Sequence, residues 1–380
     1  MSKTNLKMED KVSLFFECGG RCCLCCIDLS YDKFSRSRVN VEEYAHIIGD
    51  KENGPRGDIK KSKLYNGDIN NIILLCPTCH TKVDKNIQYY TECKLHTIKS
   101  KHIRRVKQVL DSLKYAEARI IKYSSPVGNK YIPIDEDKIN DAVRESKFIT
   151  DELPIDLNPN NNVLTDTNEK FWEFECTQLE QNFKNRIVPL QNRGEQKPFL
   201  LFAIATQPLL VYLGTLMNDT MDVKTFQKRR EPDTWTWDKK ICEQQFTIIP
   251  PIEKHKIVAV NLSLSDDISN DRITEILGNE VSIWKITHNN QHNDFIKNKN
   301  QLENLRNKYR EFFRLIREFH GQKVILYVFP CCPVSAAIEF GRVWMPKADA
   351  DLILYDQNKK DMDNKFIKAF IINGNKTITI

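Results

Sequence analysis

The chain has 380 residues, 41% of them hydrophobic and 28% charged, which is more than one small core requires and enough for two domains. No stretch comes near the roughly twenty consecutive apolar residues of a membrane-spanning helix. The start, Met1 to Asp10, lacks the apolar centre of a secretory signal, so a soluble, cytoplasmic protein with no membrane partner is expected. A net charge of +6 is too mild, if spread evenly, to name a partner.

The charge is not spread evenly. Lys60, Lys61 and Lys63 cluster, as do Lys94, Lys99, Lys101, Arg104, Arg105 and Lys107, and a cationic N-terminal third suits a polyanion such as nucleic acid. The same third holds eight of the twelve cysteines: Cys18, Cys22, Cys23, Cys25, Cys26, Cys76, Cys79 and Cys93. Without a signal peptide, pairs at two-residue gaps point to metal rather than to disulfides. Cys22-x-x-Cys25 and Cys76-x-x-Cys79 supply four thiolates, the set a closed, structural Zn2+ takes. The frame of the first pair stays open, because Cys23-x-x-Cys26 fits the same spacing; Cys22 and Cys25, after Gly20-Arg21, are preferred.

In chain order, residues 1–120 form this Cys-rich domain, ending in a helix from Lys94 to about Tyr115 with Leu95, Ile98, Ile103, Val106 and Val109 or Leu110 at helical spacing. Residues 121–167, polar and holding Pro126, Pro133, Pro154, Pro159 and the run Asn158, Asn160, Asn161 and Asn162, read as a connector. Residues 168–380 alternate strands and helices. Phe199–Ala205 is a continuously apolar strand followed by Thr206-Gln207-Pro208 and a helix from Leu209 to Met217. Strands are expected over Lys256–Leu264 and Ile283–Thr287. A long amphipathic helix from about Ile296 to Phe319 follows. Lys323–Phe329 is a second apolar strand, leading through Pro330-Cys331-Cys332-Pro333 into a helix from Val334 to Gly341, and Leu352–Tyr355 and Phe366–Ile372 close the sheet. The units strand–TQP–helix and strand–PCCP–helix imply an internal duplication. Pro208 and Pro333 fit a first helical turn, whose N–H groups at the end of a buried strand form a favoured phosphate seat.

Between the cysteine pairs lie Glu43-Tyr44-Ala45-His46 and Asn71-Ile72-Ile73-Leu74-Leu75, and His80 follows Cys79 directly. Here the sequence, over about residues 15 to 90, resembles the HNH endonucleases. That resemblance implies a zinc-stapled ββα-metal finger with His46 ending the first strand, Asn71 opening the next segment and His80 on the helix. Imidazole titrates near physiological pH, so a neutral His46 can take the proton of an attacking water. The resemblance assigns His80 to a catalytic divalent metal such as Mg2+. It assigns Asn71 to orienting the loop and fixing the imidazole. Many members of that family carry an aspartate before the first histidine, where this chain has Ala45. Asp68, Asp84 or a glutamate near His46 remain as substitutes.

The stretch VILYVFPCCPVSAAIEFGR with DLILYD, and TFQKRR with WTWD (Thr225 to Asp238), resembles the SAVED domain, two fused Rossmann-like halves that recognise cyclic oligonucleotides. By that resemblance Gln207, Pro208, Lys228, Arg230, Trp235, Trp237, Cys332, Pro333 and Ser335 form the ligand site, and of the two tryptophans one stacks on a base while the other packs in the core. The fold expected is thus an α+β HNH finger followed by an α/β domain in two Rossmann-like parts. An HNH domain fused to SAVED resembles effector nucleases of bacterial cyclic-oligonucleotide anti-phage (CBASS) systems. It implies a cyclic di- or trinucleotide activator, double-stranded DNA as substrate and a ligand-induced homo-oligomer. The rival readings are a zinc finger that docks DNA without cutting it and a restriction-type nuclease that senses a modified base.

Overall fold

The structure is a computed structural model that describes residues 6–380 except 129, 151, 159–163, 167, 169, 193–196, 241–242, 322–323, 358–364 and 375–377. Pro159, Asn160, Asn161, Asn162 and Lys323 lie outside the described residues. Two compact units emerge, Met1–Tyr115 and Ala116–Ile380.

In the first unit, helix α1 (Met8–Glu17) precedes an antiparallel hairpin of β1 (Glu43–His46) and β2 (Ile72–Leu75), registered His46 against Ile72. All four residues of β2 are buried, which is why its sequence is an unbroken apolar run rather than an alternation. Helix α2 (Pro77–Lys85) follows at once, with Cys76 at its N-cap and Pro77 in the first turn, where a missing N–H costs nothing. Helix α3 (Glu92–Asp111), capped by Thr91, closes the unit. Leu14, Ala45, Ile47, Ile72 to Leu75, Val83 and Leu95 make its core. The order is therefore ββα, with a long loop inside the hairpin.

Beside a two-residue parallel pairing of Ala116–Glu117 with Phe148–Ile149, the second unit contains two larger sheets among the described residues. The smaller is wholly parallel, in the order Val223–Thr225 (β6), Phe199–Ile204 (β5), Arg119–Ser124 (β3) and Ile155–Asp156 (β4). Helix α4 (Glu136–Glu145) joins β3 to β4. The larger runs Thr247–Ile249 (β7), Val281–Thr287 (β9), Ile257–Ser263 (β8), Ile325–Cys331 (β10), Asp351–Gln357 (β11), Phe366–Ile372 (β12) and Ile378–Thr379 (β13). Its β9, β8, β10 and β11 are parallel and its outer strands antiparallel. Helices α5 (Phe171–Arg186), α6 (Gln207–Met217), α7 (Asn270–Leu277), α8 (Lys299–His320) and α9 (Val334–Val343) cover the sheets.

The segment 121–167 is not the connector its composition suggests. Ile121 and Tyr123 are fully buried in β3, which sits between β5 and β4, so the parallel sheet begins near residue 119 and not at 168. The polar, proline-bearing loops around a short strand masked it.

The two strand–helix units recur in the structure. β5 feeds α6 as β10 feeds α9, and α6 and α9 meet at reciprocal glycines. A Cβ on Gly214 would stand 2.1 Å from the Ile338 carbonyl oxygen, and one on Gly341 2.0 Å from that of Val211. Only a residue without a side chain admits backbones this close.

Candidate functional site

The four-cysteine cluster comes first. The Sγ atoms of Cys22, Cys25, Cys76 and Cys79 lie within 4.8 Å of one another, with Cys25 and Cys76 at 3.8 Å. The knuckle therefore uses the Cys22/Cys25 frame. Tetrahedral thiolate ligation at about 2.3 Å from zinc spaces sulfurs by about 3.8 Å, so the donor set fits the ion. Burial, then hydrogen bonds from Cys25 and Cys76, push the Cys79 thiol up. Sulfurs packed this closely do not ionise together without a cation among them.

His46 ends β1, Asn71 closes the turn just before β2, and His80 lies on α2. Asn71, 3% exposed, closes the long loop: its Oδ1 accepts from the Ile48 N–H (2.8 Å), and its Nδ2 donates to the carbonyls of Ile48 (3.0 Å) and Tyr65 (3.2 Å). All three bonds go to backbone, so Asn71 orients the loop but does not fix the imidazole. The His46 ring instead faces the Asn66 carbonyl, 3.4 Å from Nε2. His80 lies between two carboxylates, with Nδ1 2.7 Å from Glu43 and Nε2 3.5 Å from Asp84. Of the substitutes for an aspartate at Ala45, a nearby glutamate and Asp84 thus reach His80. Asp68 does not serve: its carboxylate caps the turn at Asn70 (2.9 Å).

Of two further residues here, the sequence left Glu43 as one glutamate among the alternatives and did not point to Arg56. Glu43 had a signal: strand positions 43 and 45 share a face, so a carboxylate missing at Ala45 returns two residues earlier. Arg56 had none. Its Nε donates to Ile47 O (3.0 Å), Nη1 to Val83 O (2.8 Å) and Nη2 to His46 O (3.1 Å) and Asp84 Oδ1 (2.7 Å), tying the His46 strand end to the His80 helix.

Among the basic residues, Lys60, Lys63, Lys101, Arg104, Arg105 and Lys107 are exposed. Lys99 is not: it is 8% exposed, its ammonium donating to the carbonyls of Ile69 (2.7 Å) and Asn70 (3.3 Å). Helical spacing could not separate this inward lysine from its outward neighbours.

In the second unit, Gln207, Cys332, Pro333 and Ser335 converge at the start of α9. Pro333 occupies the N-cap, one residue before the first turn, whereas Pro208 lies in the first turn of α6. The expected phosphate seat at α9 is already occupied. Gln207 Oε1 accepts from Cys332 N (3.0 Å), and Gln227 Oε1 accepts from Ser335 N (3.1 Å) and Ser335 Oγ (2.6 Å). Gln227, which the sequence reading passed over, is 3% exposed and Ser335 0%. The α6 end differs. Its N-cap Thr206 makes no side-chain cap, and the buried hydroxyls of Thr206, after β5, and Ser265, after β8, have no hydrogen-bond partner among the described residues. Buried hydroxyls of this kind call for a polar ligand or water.

Trp235 is the core tryptophan, 1% exposed and edge-on to Phe202 at 5.3 Å. Trp237 is half-buried against Phe226. Neither lies on a strand, so the shared face expected from their spacing does not arise. Lys228 pairs with Asp233 and lies 5.8 Å from the Trp235 ring; Arg230 is exposed.

No helix among the described residues is long and apolar enough to cross a membrane. No curated protein matches the chain. Among solved structures it is similar to the Acinetobacter baumannii Cap4 SAVED/CARF-domain containing receptor with the cyclic trinucleotide 2'3'3'-cAAA. The identity is 15% and the TM-score 0.42, over 78% of this chain and 62% of that one. The Moraxella osloensis Cap4 receptor gives 14% identity and a TM-score of 0.40, over 73% of this chain and 54% of that one. The chain thus spans less than two thirds of these receptors' own length. Residues 179–372, more than half of the chain, match the family described as the SMODS-associated and fused to various effectors sensor domain. The chain therefore belongs to the SAVED family.

Proposed function

We propose that this protein is a DNA endonuclease of the HNH type whose activity is switched on by a cyclic oligonucleotide bound to the SAVED unit, as in CBASS anti-phage defence. The observation that carries the nuclease half is the ββα unit in which a closed cysteine staple, an inward His46 and a carboxylate-flanked His80 occur together. His46 ends β1 and is held from behind through Arg56, so its imidazole is the chain's own base for a water proton. Arg56 and Asn71 fix the loop and strand that carry it. His80, with Glu43 on one ring nitrogen and Asp84 near the other, would hold a divalent cation. That ion supplies positive charge to the phosphate oxygens when bound. Among the described residues only cysteine-containing clusters bring three ligand atoms within 4.8 Å, so the substrate phosphate would complete this coordination, as is usual for Mg2+. The four-cysteine zinc supplies folding free energy rather than chemistry. The exposed Lys and Arg residues of the first unit suit the DNA backbone.

The sensor half rests on membership of a sensor family and on the unsatisfied hydroxyls of Thr206 and Ser265, just past the C-terminal ends of β5 and β8. The test is cleavage of double-stranded DNA by the full chain with Mg2+, with and without a cyclic oligonucleotide. The trinucleotide held by the Acinetobacter baumannii receptor is the first probe. Cleavage is expected only with ligand, and His46→Ala is expected to abolish it while zinc content and melting stay unchanged. Ligand binding without cleavage would favour the DNA-docking regulator, and cleavage indifferent to ligand would overturn the gating.

A further inference from the structure

The segment Cys22-Cys23-Leu24-Cys25-Cys26 carries two overlapping CxxC frames, and the staple uses only one. Its other frame points elsewhere. Cys23 Sγ lies 3.4 Å from Cys18 Sγ, and both lie within 4.8 Å of a His102 ring nitrogen. All three residues are buried, at 5%, 0% and 6% exposure. Cys26 Sγ stands 3.9 Å from His102 Nδ1, at the edge of the cluster and not within 4.8 Å of all three of its members.

Three further observations bear on what this cluster holds. His102 Nε2 lies 2.9 Å from the Cys18 carbonyl oxygen. A carbonyl only accepts, so that nitrogen carries the ring proton and Nδ1 presents its lone pair toward the sulfurs. This is the arrangement in which a metal-bound histidine is usually fixed. Cys26, just past the Cys22–Cys25 knuckle, holds φ at 59° with its N–H donating to Cys22 O (2.9 Å), and this turn leaves its side chain on the His102 side. Finally, the buried ammonium of Lys99 acts electrostatically on both Cys18 and Cys23. Three thiolates and one neutral imidazole on a divalent ion leave a net charge of −1, which a neighbouring buried cation offsets.

We propose that the first unit binds a second structural zinc ion through Cys18, Cys23, Cys26 and His102, so that the Cys22–Cys26 knuckle straddles two metals. Each metal then takes one buried and one exposed cysteine from the knuckle: Cys22 with Cys25 for the staple, Cys23 with Cys26 for the second site. The staple joins the knuckle to α2, and the second ion joins it and the end of α1 to His102 on α3. Gly19, with φ of 62°, lets the chain turn between α1 and the knuckle close against Val106 of α3. The proposal does not depend on nuclease activity.

The test counts metal. The full chain, purified without chelator, should contain two zinc ions. Cys23→Ser should leave one. Because that variant could unfold the unit, His102→Cys provides a second arm. It should retain two ions, and in Co2+-substituted protein it should change the visible ligand-field spectrum as imidazole gives way to thiolate. One zinc per wild-type chain overturns the proposal, as does a thiol count two short from a Cys18–Cys23 disulfide. An unchanged Co2+ spectrum in His102→Cys overturns it equally.

Discussion

Glu339 has no exposed surface. Its carboxylate meets Arg306 at 2.6 Å and Arg342 at 3.0 Å and accepts the Thr225 hydroxyl at 2.6 Å. Burial by itself raises its pKa, but Arg342 and Arg306 together outweigh that and hold it below the usual value. A carboxylate depressed in the folded state contributes stability above its unfolded pKa, and that contribution is lost as pH falls through the folded value. Glu339→Gln should therefore cost about 3–5 kcal/mol at neutral pH, because it leaves the buried Arg342 guanidinium uncompensated and loosens the half-buried Arg306. Its melting should also decline less steeply than the wild type's on acidification. Tryptophan fluorescence isolates the effect, since all five tryptophans lie in the second unit. In the first unit, Arg56→Lys removes a planar fork that a single ammonium cannot replace. With zinc at the four-cysteine cluster, as proposed, its release to a chromogenic chelator should then occur at lower denaturant, by about 1–3 kcal/mol of stability. The four clustered cysteines were legible because metal ligation asks for fixed residue types at fixed spacing. Arg56 was not, because it acts through four acceptors, three of them backbone carbonyls, that no spacing encodes.

At the scale of elements, the α6–α9 crossing rests on Gly214 and Gly341. Gly214→Ala or Gly341→Ala must separate the helices, and each should destabilise the second unit by about 1–3 kcal/mol or more. The two substitutions act on one contact, so the double variant should cost clearly less than the sum of the singles. Additive losses in chemical denaturation would show that the helices are not held as one joint. The long elements of this unit were readable from period and apolar runs: β5, β10, α6, α8 and α9 lie close to where the pattern put them. Short ones were not. β4 and β6 have two and three residues, too few to display an alternation, and β3 was hidden among polar loops.

For the whole molecule, the expectation concerns assembly. A ligand shifts an equilibrium only by its differential affinity for two states. A ligand seated where the two halves of the second unit adjoin can change their relative angle and so the surface shown to a neighbouring copy. If that surface is heterologous, growth need not stop at a dimer. Light scattering should register a ligand-dependent rise in mass, with DNA cleavage following it; activation at constant mass would refute this. Ser335→Glu is a poor probe of the ligand site, because the hydroxyl is buried against Gln227 and the variant would disturb packing first. Thr206→Val, which removes the unsatisfied hydroxyl without changing shape, is the better one, and it should weaken the response to ligand while leaving melting intact. The glycine-to-glycine joint has one more consequence. Two identical subunits around a true dyad must offer a bound molecule the same residues twice. Here the two sides have diverged: one helix start is plugged by Gln207 and Gln227, while the other leaves a hydroxyl waiting. If the proposed cyclic oligonucleotide is seated between these two helix starts, their unlike chemistry can tell the front of the ring from its back, and so discriminate rings whose edges differ in base or linkage.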